Sequence, residues 1–526
     1  MDEAMKIPTG VPDGDTDEAA SLPGATPPPP SPTASRAVTA DDRRLRQAVV
    51  VIHGIGEQRP MDTLRGFVNA VLSDNPAADP KYRSKPDAMS ELLETRCLQA
   101  PGTRQRPLTD FYEYYWAHHM KDARYAQVAA WLKNLMFRSP AAIPPALGAI
   151  YYVSWLLLLL GGGLLGWEVM AEFARAGDAA SASIKDRWPL AAGLGVFVVQ
   201  WLGAKFILGY VADAARYLSP TPDNIEARIK IRSEGVKLLH TLHRSGKYSR
   251  IVIVGHSLGS VIGYDIIRSL WTELRKPPLP YPCKQEILAQ FEARAKAIDP
   301  AKGETLEAFR QWQHKLWQEF RVVGMPWLVT DFITLGSPLA HGQLLMADDP
   351  DDFARKKLEY EYPTCPPGFG EPIAYTQNYV LARLGQREPC SVSIAHHGAA
   401  FACTRWTNLY FPYRRLIRGD VVGGPLRPVF GNGIRDIPVT PSSGGWLAGS
   451  LAAHTFYWRG AWQAEKTPRK EAKPTVNALI GCLGLDFKQG TGAQARPGAF
   501  ALLELLHKKP KTTPPGNDNP VPCKEP

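Results

Sequence analysis

Short apolar runs alternate with longer stretches of helical periodicity along most of this chain. Residues 48–52 (Ala-Val-Val-Val-Ile) are apolar throughout, largely β-branched, and stop at His53-Gly54. The pattern predicts a helix over 61–72 and an aromatic strand over 110–117. A further helix is expected over 224–245, with apolar positions at Val236, Leu238, Leu239 and Leu242. An apolar strand over 250–254 precedes a helix over 260–271. Strands are expected again over 330–335, ended by Gly336-Ser337-Pro338, and over 405–410. Strands without polar alternation are buried on both faces, and strands separated by helices build a mostly parallel sheet covered on both sides. The expected class is therefore α/β.

Residues 139–213 break this pattern. No charged residue occurs between Arg138 and Glu168. About 20 apolar residues suffice to cross a bilayer as a helix, so 150–160 and its flanks read as a transmembrane span. Tyr151, Tyr152, Trp155 and Trp167 suit the interfaces. A second apolar stretch, 188–212, is interrupted only by Lys205, which lies near its end and can snorkel. A long buried helix is the alternative for this second stretch. Strands on both sides must join one sheet, so an even number of crossings is required. The expectation is a two-helix transmembrane hairpin inserted into a soluble domain. Gly162 and Gly166 offer a GxxxG packing face.

Composition narrows the class. The chain has 526 residues, 44% hydrophobic and 21% charged, which is that of a globular protein. Its net charge of +10 is dispersed and interleaved with acids. No nucleic-acid partner is expected, and a bilayer surface is the better use of the excess. The seven cysteines are irregularly spaced without a CxxC pair, so neither a disulfide framework nor a metal site is expected. Free thiols and the lack of an apolar leader in 1–40 favour a cytoplasmic hydrolase domain, on the inner membrane if the source is bacterial. Residues 1–40 and 508–526 are polar and Pro-rich, and disorder is expected there. The α/β domain then comprises 41–138 and 214–507. Insertions at 272–326 (helical) and 341–404 (irregular, Pro-rich) serve either as a lid or as packing elaborations.

The chemistry centres on Gly255-His256-Ser257-Leu258-Gly259, a G-x-S-x-G between an apolar strand and a helix. This context suits a nucleophilic serine on a sharp strand-to-helix turn, where Gly255 and Gly259 leave room for the backbone. A tetrahedral intermediate needs two N–H donors for its oxyanion. Leu258 should supply one and Ile55, in the loop His53-Gly54-Ile55-Gly56-Glu57-Gln58, the other. His53 reads as an imidazole that pins this loop. The serine also needs a base and an orienting acid, which follow it in the order Ser, Asp or Glu, His. His454 is the candidate base. His314 is expected to be solvated, His341 lies too close behind a strand, and the adjacent His396 and His397 are expected at the surface. Asp420 is the only carboxylate between Arg405 and Arg435 and is the candidate acid. Asp436 is the runner-up, and Asp265 and Asp331 read as structural.

The segments HGIGEQ (53–58), GHSLGS (255–260), TLGSPL (334–339), WTNLY (406–410), GDVVGGPL (419–426) and AHTFYW (453–458) resemble bacterial α/β-hydrolases of the lipase and esterase type. The resemblance covers most of 47–458 apart from the hairpin. It implies Ser257 as nucleophile, Asp420 as acid and His454 as base. In the related pattern the acid follows the W-x-N-x-Y strand within a few residues, whereas here 411–418 intervene. The expected function is a membrane-anchored serine hydrolase of carboxylic esters, lipids among them, working without metal or cofactor. The alternative is a catalytically silent membrane scaffold on the same fold.

Overall fold

In the computed structural model, the strand pattern seen in the sequence becomes one eight-stranded sheet, ordered from one edge as Arg435–Pro438, Arg405–Tyr410, Val329–Leu335, Arg250–His256, Arg46–Ile52, Leu108–Tyr114, Arg96–Ala100 and Arg83–Pro86. The structure describes residues 46–485, less 56–58, 73–80, 91, 103–106, 121–136, 141, 142, 144, 176–216 (Gly195 excepted), 219–221, 369, 384–385, 414–418, 442–450 and 459–473. The two termini expected to be disordered, the second apolar stretch, Gly56, Glu57 and Gln58 thus lie outside the described residues, apart from Gly195 in a helical position.

Strands β1 (Arg46–Ile52), β4 (Leu108–Tyr114), β5 (Arg250–His256), β6 (Val329–Leu335), β9 (Arg405–Tyr410) and β10 (Arg435–Pro438) run parallel. Strands β2 (Arg83–Pro86) and β3 (Arg96–Ala100) add an antiparallel edge. The sheet is therefore mostly parallel and the fold is α/β.

Alternate side chains of each central strand face opposite layers, as a period of two requires. Ala48, Val50 and Ile52 of β1, with Ile251 and Ile253 of β5, enter one core. Val49 and Val51, with Val252 and Val254, enter the other. Helix α1 (Asp62–Val71) covers the second face through Leu64, Phe67 and Val68, beside Leu479 and Leu483 of the C-terminal helix Pro474–Leu483. The first face is covered by α3 (Pro222–Arg244) and α4 (Leu258–Leu274). Farther along it lie α5 (Glu286–Lys296) and α6 (Gly303–Val323). Each buried Leu, Ile or Phe of these layers contributes about 1.5–3 kcal/mol relative to exposure.

Helix α2 (Pro145–Arg175) stands apart in chemistry. Its segment Tyr151–Ala171 is long and apolar enough to cross a membrane, with mean hydropathy 1.6 and almost none of it buried. Leu158, Leu159, Leu160, Trp167 and Met170 are exposed along it. β1 pairs with β4, which precedes this helix, and with β5, which follows it. The insertion therefore leaves and re-enters a single sheet.

Three sequence expectations are corrected. Residues 341–404 are not irregular: they hold a helix, Pro350–Leu358, and an antiparallel pair, β7 (Ala374–Arg383) with β8 (Gln386–Ala395). Val392 and Cys390 of this pair pack on Val323 of α6, which joins the two insertions into one elaboration. His314 is buried, not solvated, and stacks on Trp317 with ring centroids 5.4 Å apart. His396 is buried as well, its carbonyl accepting the Trp271 indole N–H at 3.0 Å, so only His397 of that pair is exposed.

Candidate active site

The carboxyl ends of β1, β5, β6 and β9 are where an open α/β sheet presents its ligand-binding loops. The predicted serine stands on this edge. Ser257 lies between β5 and α4 with φ 52° and ψ −128°, a conformation costing a non-glycine residue about 1–3 kcal/mol. Its N–H donates to Leu335 O at 2.9 Å, prolonging the β5–β6 ladder into the turn. The turn closes because its flanks have no side chains. A Cβ on Gly255 would stand 2.5 Å from Ser260 Cα, and one on Gly259 would stand 2.3 Å from Ile52 O. Gly54, on the neighbouring β1 loop, faces the serine directly, with 2.8 Å between its would-be Cβ and Ser257 Cβ.

Beneath the turn, Ser260 N–H and Oγ approach Ser257 O at 2.9 and 2.6 Å. Ser260 Oγ also lies 2.7 Å from Ser337 Oγ. Ser260 has one hydroxyl proton, directed at the carbonyl, so Ser337 donates to Ser260. The strained carbonyl is thereby tied to the loop that follows β6.

The chain brings the other two predicted residues to this serine from positions far along the sequence. His454 sits on a single 3-10 turn, Leu451–Thr455. Its Nε2 is 2.7 Å from Ser257 Oγ. Its Nδ1 is 3.0 and 2.9 Å from Oδ1 and Oδ2 of Asp420. An ionised carboxylate only accepts, so Nδ1 carries the ring proton and Nε2 turns its lone pair to the serine. The side chain of Asp420 is fully buried. Burial works to raise its pKa. The adjacent His454, the Gly423 N–H and the Tyr457 hydroxyl oppose this and hold it down at about 2. Val422 N–H also donates to Oδ1 at 2.9 Å.

Two neighbours have no role in the sequence reading. Tyr457 donates its hydroxyl to Asp420 Oδ2 at 2.9 Å and accepts the Phe411 N–H at 3.2 Å. His256 places Nε2 3.0 Å from His454 O, and its ring stacks on that of His454 at 5.1 Å. The first fixes the acid and the second fixes the turn carrying the imidazole. Both segments, GHSLGS and AHTFYW, were visible as patterns, but nothing local indicated which member reached across.

The oxyanion candidates lie on the same edge. Leu258 opens α4, whose leading N–H groups have no partner within the helix. Ile55 follows the β1 turn and packs against the first core, while Gly56 beside it lies outside the described residues. His53 is buried and braces this loop. Its Nδ1 is 2.8 Å from Gly54 O, and its carbonyl accepts the Trp116 indole N–H at 2.9 Å. Burial drives its pKa down to about 4, so it is a neutral pin.

The remaining candidates have other partners. His341 Nε2 meets Val421 O at 2.9 Å, and Asp436 accepts from Asn408 and from the Leu426 and Arg427 N–H groups. Asp265 pairs with Arg232 and Arg268, and Asp331 with Arg250 and Arg405.

Against protein-family models, curated proteins and solved structures, the chain finds no match.

Proposed function

We propose that this chain is a membrane-anchored serine hydrolase of carboxylic esters, on an α/β-hydrolase-type sheet. The observation that carries the reading is the continuous relay from Ser257 Oγ through both nitrogens of His454 to Asp420, at 2.7, 3.0 and 2.9 Å. Each member faces the next with the polarity that acyl transfer needs.

Ser257 Oγ attacks the acyl carbonyl while His454 Nε2 takes its proton. The imidazolium so formed is stabilised by Asp420, ionised at any working pH. Leu258 and Ile55 N–H groups hold the oxyanion. His454 then returns the proton to the leaving alcohol. Water then attacks the acyl carbon as it gives a proton to the same nitrogen, and His454 hands that proton to Ser257 Oγ as the acyl–oxygen bond breaks and the acid leaves. Every step runs on groups of the chain itself.

Membrane anchoring rests on Tyr151–Ala171 and on the requirement that β4 and β5 flank one strand. A chain that leaves by this helix must return by a second, for which 188–212 supplies the length, completing an inserted hairpin. The hydrolase domain is assigned to the cytoplasmic side on the free cysteines. Placing the site beside a bilayer favours lipid or other long-chain acyl esters. Hydrolysis of an ester series of rising acyl length, with and without detergent micelles, tests this. Micelle-stimulated cleavage of long esters, abolished by Ser257→Ala, is expected. Absence of any Ser257-dependent cleavage contradicts the enzyme reading, and a preference for short soluble esters removes the lipid part.

A further inference from the structure

A second cluster of chemistry-bearing side chains lies past the end of β4, outside the relay. His118 and His119 sit on the short 3-10 helix Ala117–Met120, and Glu234 comes from the middle of α3. His119 Nε2 is 2.7 Å from Glu234 Oε2, and His118 Nε2 is 3.8 Å from the same oxygen. The two imidazole centroids are 3.8 Å apart. All three donor atoms lie within 4.8 Å of one another.

We infer that His118, His119 and Glu234 form a binding site for Zn²⁺ or a similar borderline divalent transition metal. Around a tetrahedral zinc with bonds of about 2.0–2.2 Å, donors stand about 3.3 Å apart. The observed 2.7 and 3.8 Å straddle that spacing, so small rotations of two side chains admit the ion. Two imidazoles and one carboxylate select zinc, cobalt, nickel or copper over magnesium and calcium, which take oxygen. Glu234 is 43% exposed at its side chain while His119 is 10% exposed. The ion therefore enters from the Glu234 side and keeps a water as fourth ligand.

Position gives the site a consequence. Glu234 belongs to the helix that re-enters the domain after the apolar insertion, and the two histidines belong to the turn that leaves it. A bound ion staples one to the other at the root of the insertion. His118 stacks on Tyr115, and Tyr115 packs at a tilt against His53 with ring centroids 5.3 Å apart, which leads the staple to the loop carrying Ile55. Sequence spacing hides the set, because the carboxylate lies 115 residues beyond its partner histidine.

The inference is independent of the hydrolase reading and is tested without substrate. The untagged full chain in detergent, stripped with chelator, is titrated with Zn²⁺ by calorimetry and with Co²⁺ by its visible d–d band. One tight equivalent, a cobalt band of four-coordinate type and a zinc-dependent rise in melting temperature are expected. His119→Gln and Glu234→Gln should each weaken zinc by more than the roughly 10–100-fold typical of losing an outer-shell partner. A wild-type chain with neither cobalt band nor thermal shift overturns the inference, and needs no variant to do so. A His118→Gln/His119→Gln/Glu234→Gln chain that binds as many ions as tightly as wild type overturns it equally.

Discussion

Replacing Asp420 by Asn tests the relay at its least accessible member. Both carboxylate oxygens lie within 3.0 Å of His454 Nδ1. Oδ1 also accepts the Val422 N–H, which cannot turn, and Oδ2 accepts the Tyr457 hydroxyl, which can. The Asn amide nitrogen therefore settles at the Oδ2 position, with Tyr457 rotated to accept from it. An N–H then faces Nδ1 across about 2.9 Å, a hydrogen-bond distance. It favours the tautomer with the proton on Nε2, where a base is needed. The loss of imidazolium stabilisation and of the correct tautomer together lower kcat by about 10⁴-fold, or about 5.5 kcal/mol. KM for a soluble p-nitrophenyl ester should stay near wild type, because Asp420 is buried out of substrate reach. A urea melt of the same preparation verifies folding. A folded Asp420→Asn chain with kcat within tenfold of wild type refutes the reasoning, and the base would then be oriented by another group.

Three further outcomes follow from the same geometry. Tyr457→Phe removes one donor from the buried carboxylate and strands the Phe411 N–H, so stability should fall by about 2–4 kcal/mol in urea melts, with kcat reduced far less than in Asp420→Asn. Burial lowers the pKa of His53, His243 and His314 to about 4 from an ordinary 6.5. The unfolded chain thus takes up protons first as pH falls through that window, and folding should lose up to about 3 kcal/mol per histidine between these values, stability being full above about 6.5. Urea midpoints near pH 7 and near pH 4.5 measure the loss, and His314→Leu should flatten it. Expressed in a bacterial host, the chain should stay with the membrane pellet through an alkaline carbonate wash, and its release would contradict the bilayer anchor.

The sequence carried the interior of the sheet because strands buried on both faces leave a local mark: 48–52 and 251–254 are unbroken apolar runs, and 330–335 and 405–410 are short β-branched and aromatic stretches broken by Asp331, Arg405 and Asn408. Its β2 edge was invisible for the opposite reason. β2 is Arg-Ser-Lys-Pro, fully exposed, with the charges and proline that protect a free edge. The β7–β8 pair was hidden by Pro389, which is tolerated opposite Val380 because a two-stranded sheet has only edges. His314 looked solvated because its helix face also holds Arg310 and Gln313. Their partners, the carbonyls of Trp406 and Phe401, come from nearly a hundred residues away.

Within the site the same division holds. Ser257 announces itself through its glycines, and chain order with elimination pointed to Asp420 and His454. Despite the long 411–418 connection, Asp420 reaches His454. Tyr457 acts three residues after His454, yet its partner lies 37 residues earlier, and no local period reports that.

The most direct measurement is covalent labelling by a fluorophosphonate probe, followed by mass mapping of the modified peptide. The account predicts a single adduct on Ser257, formed by the wild type, absent from Ser257→Ala and strongly slowed in Asp420→Asn. A wild-type chain that does not label, and so cannot be told from Ser257→Ala, would contradict it.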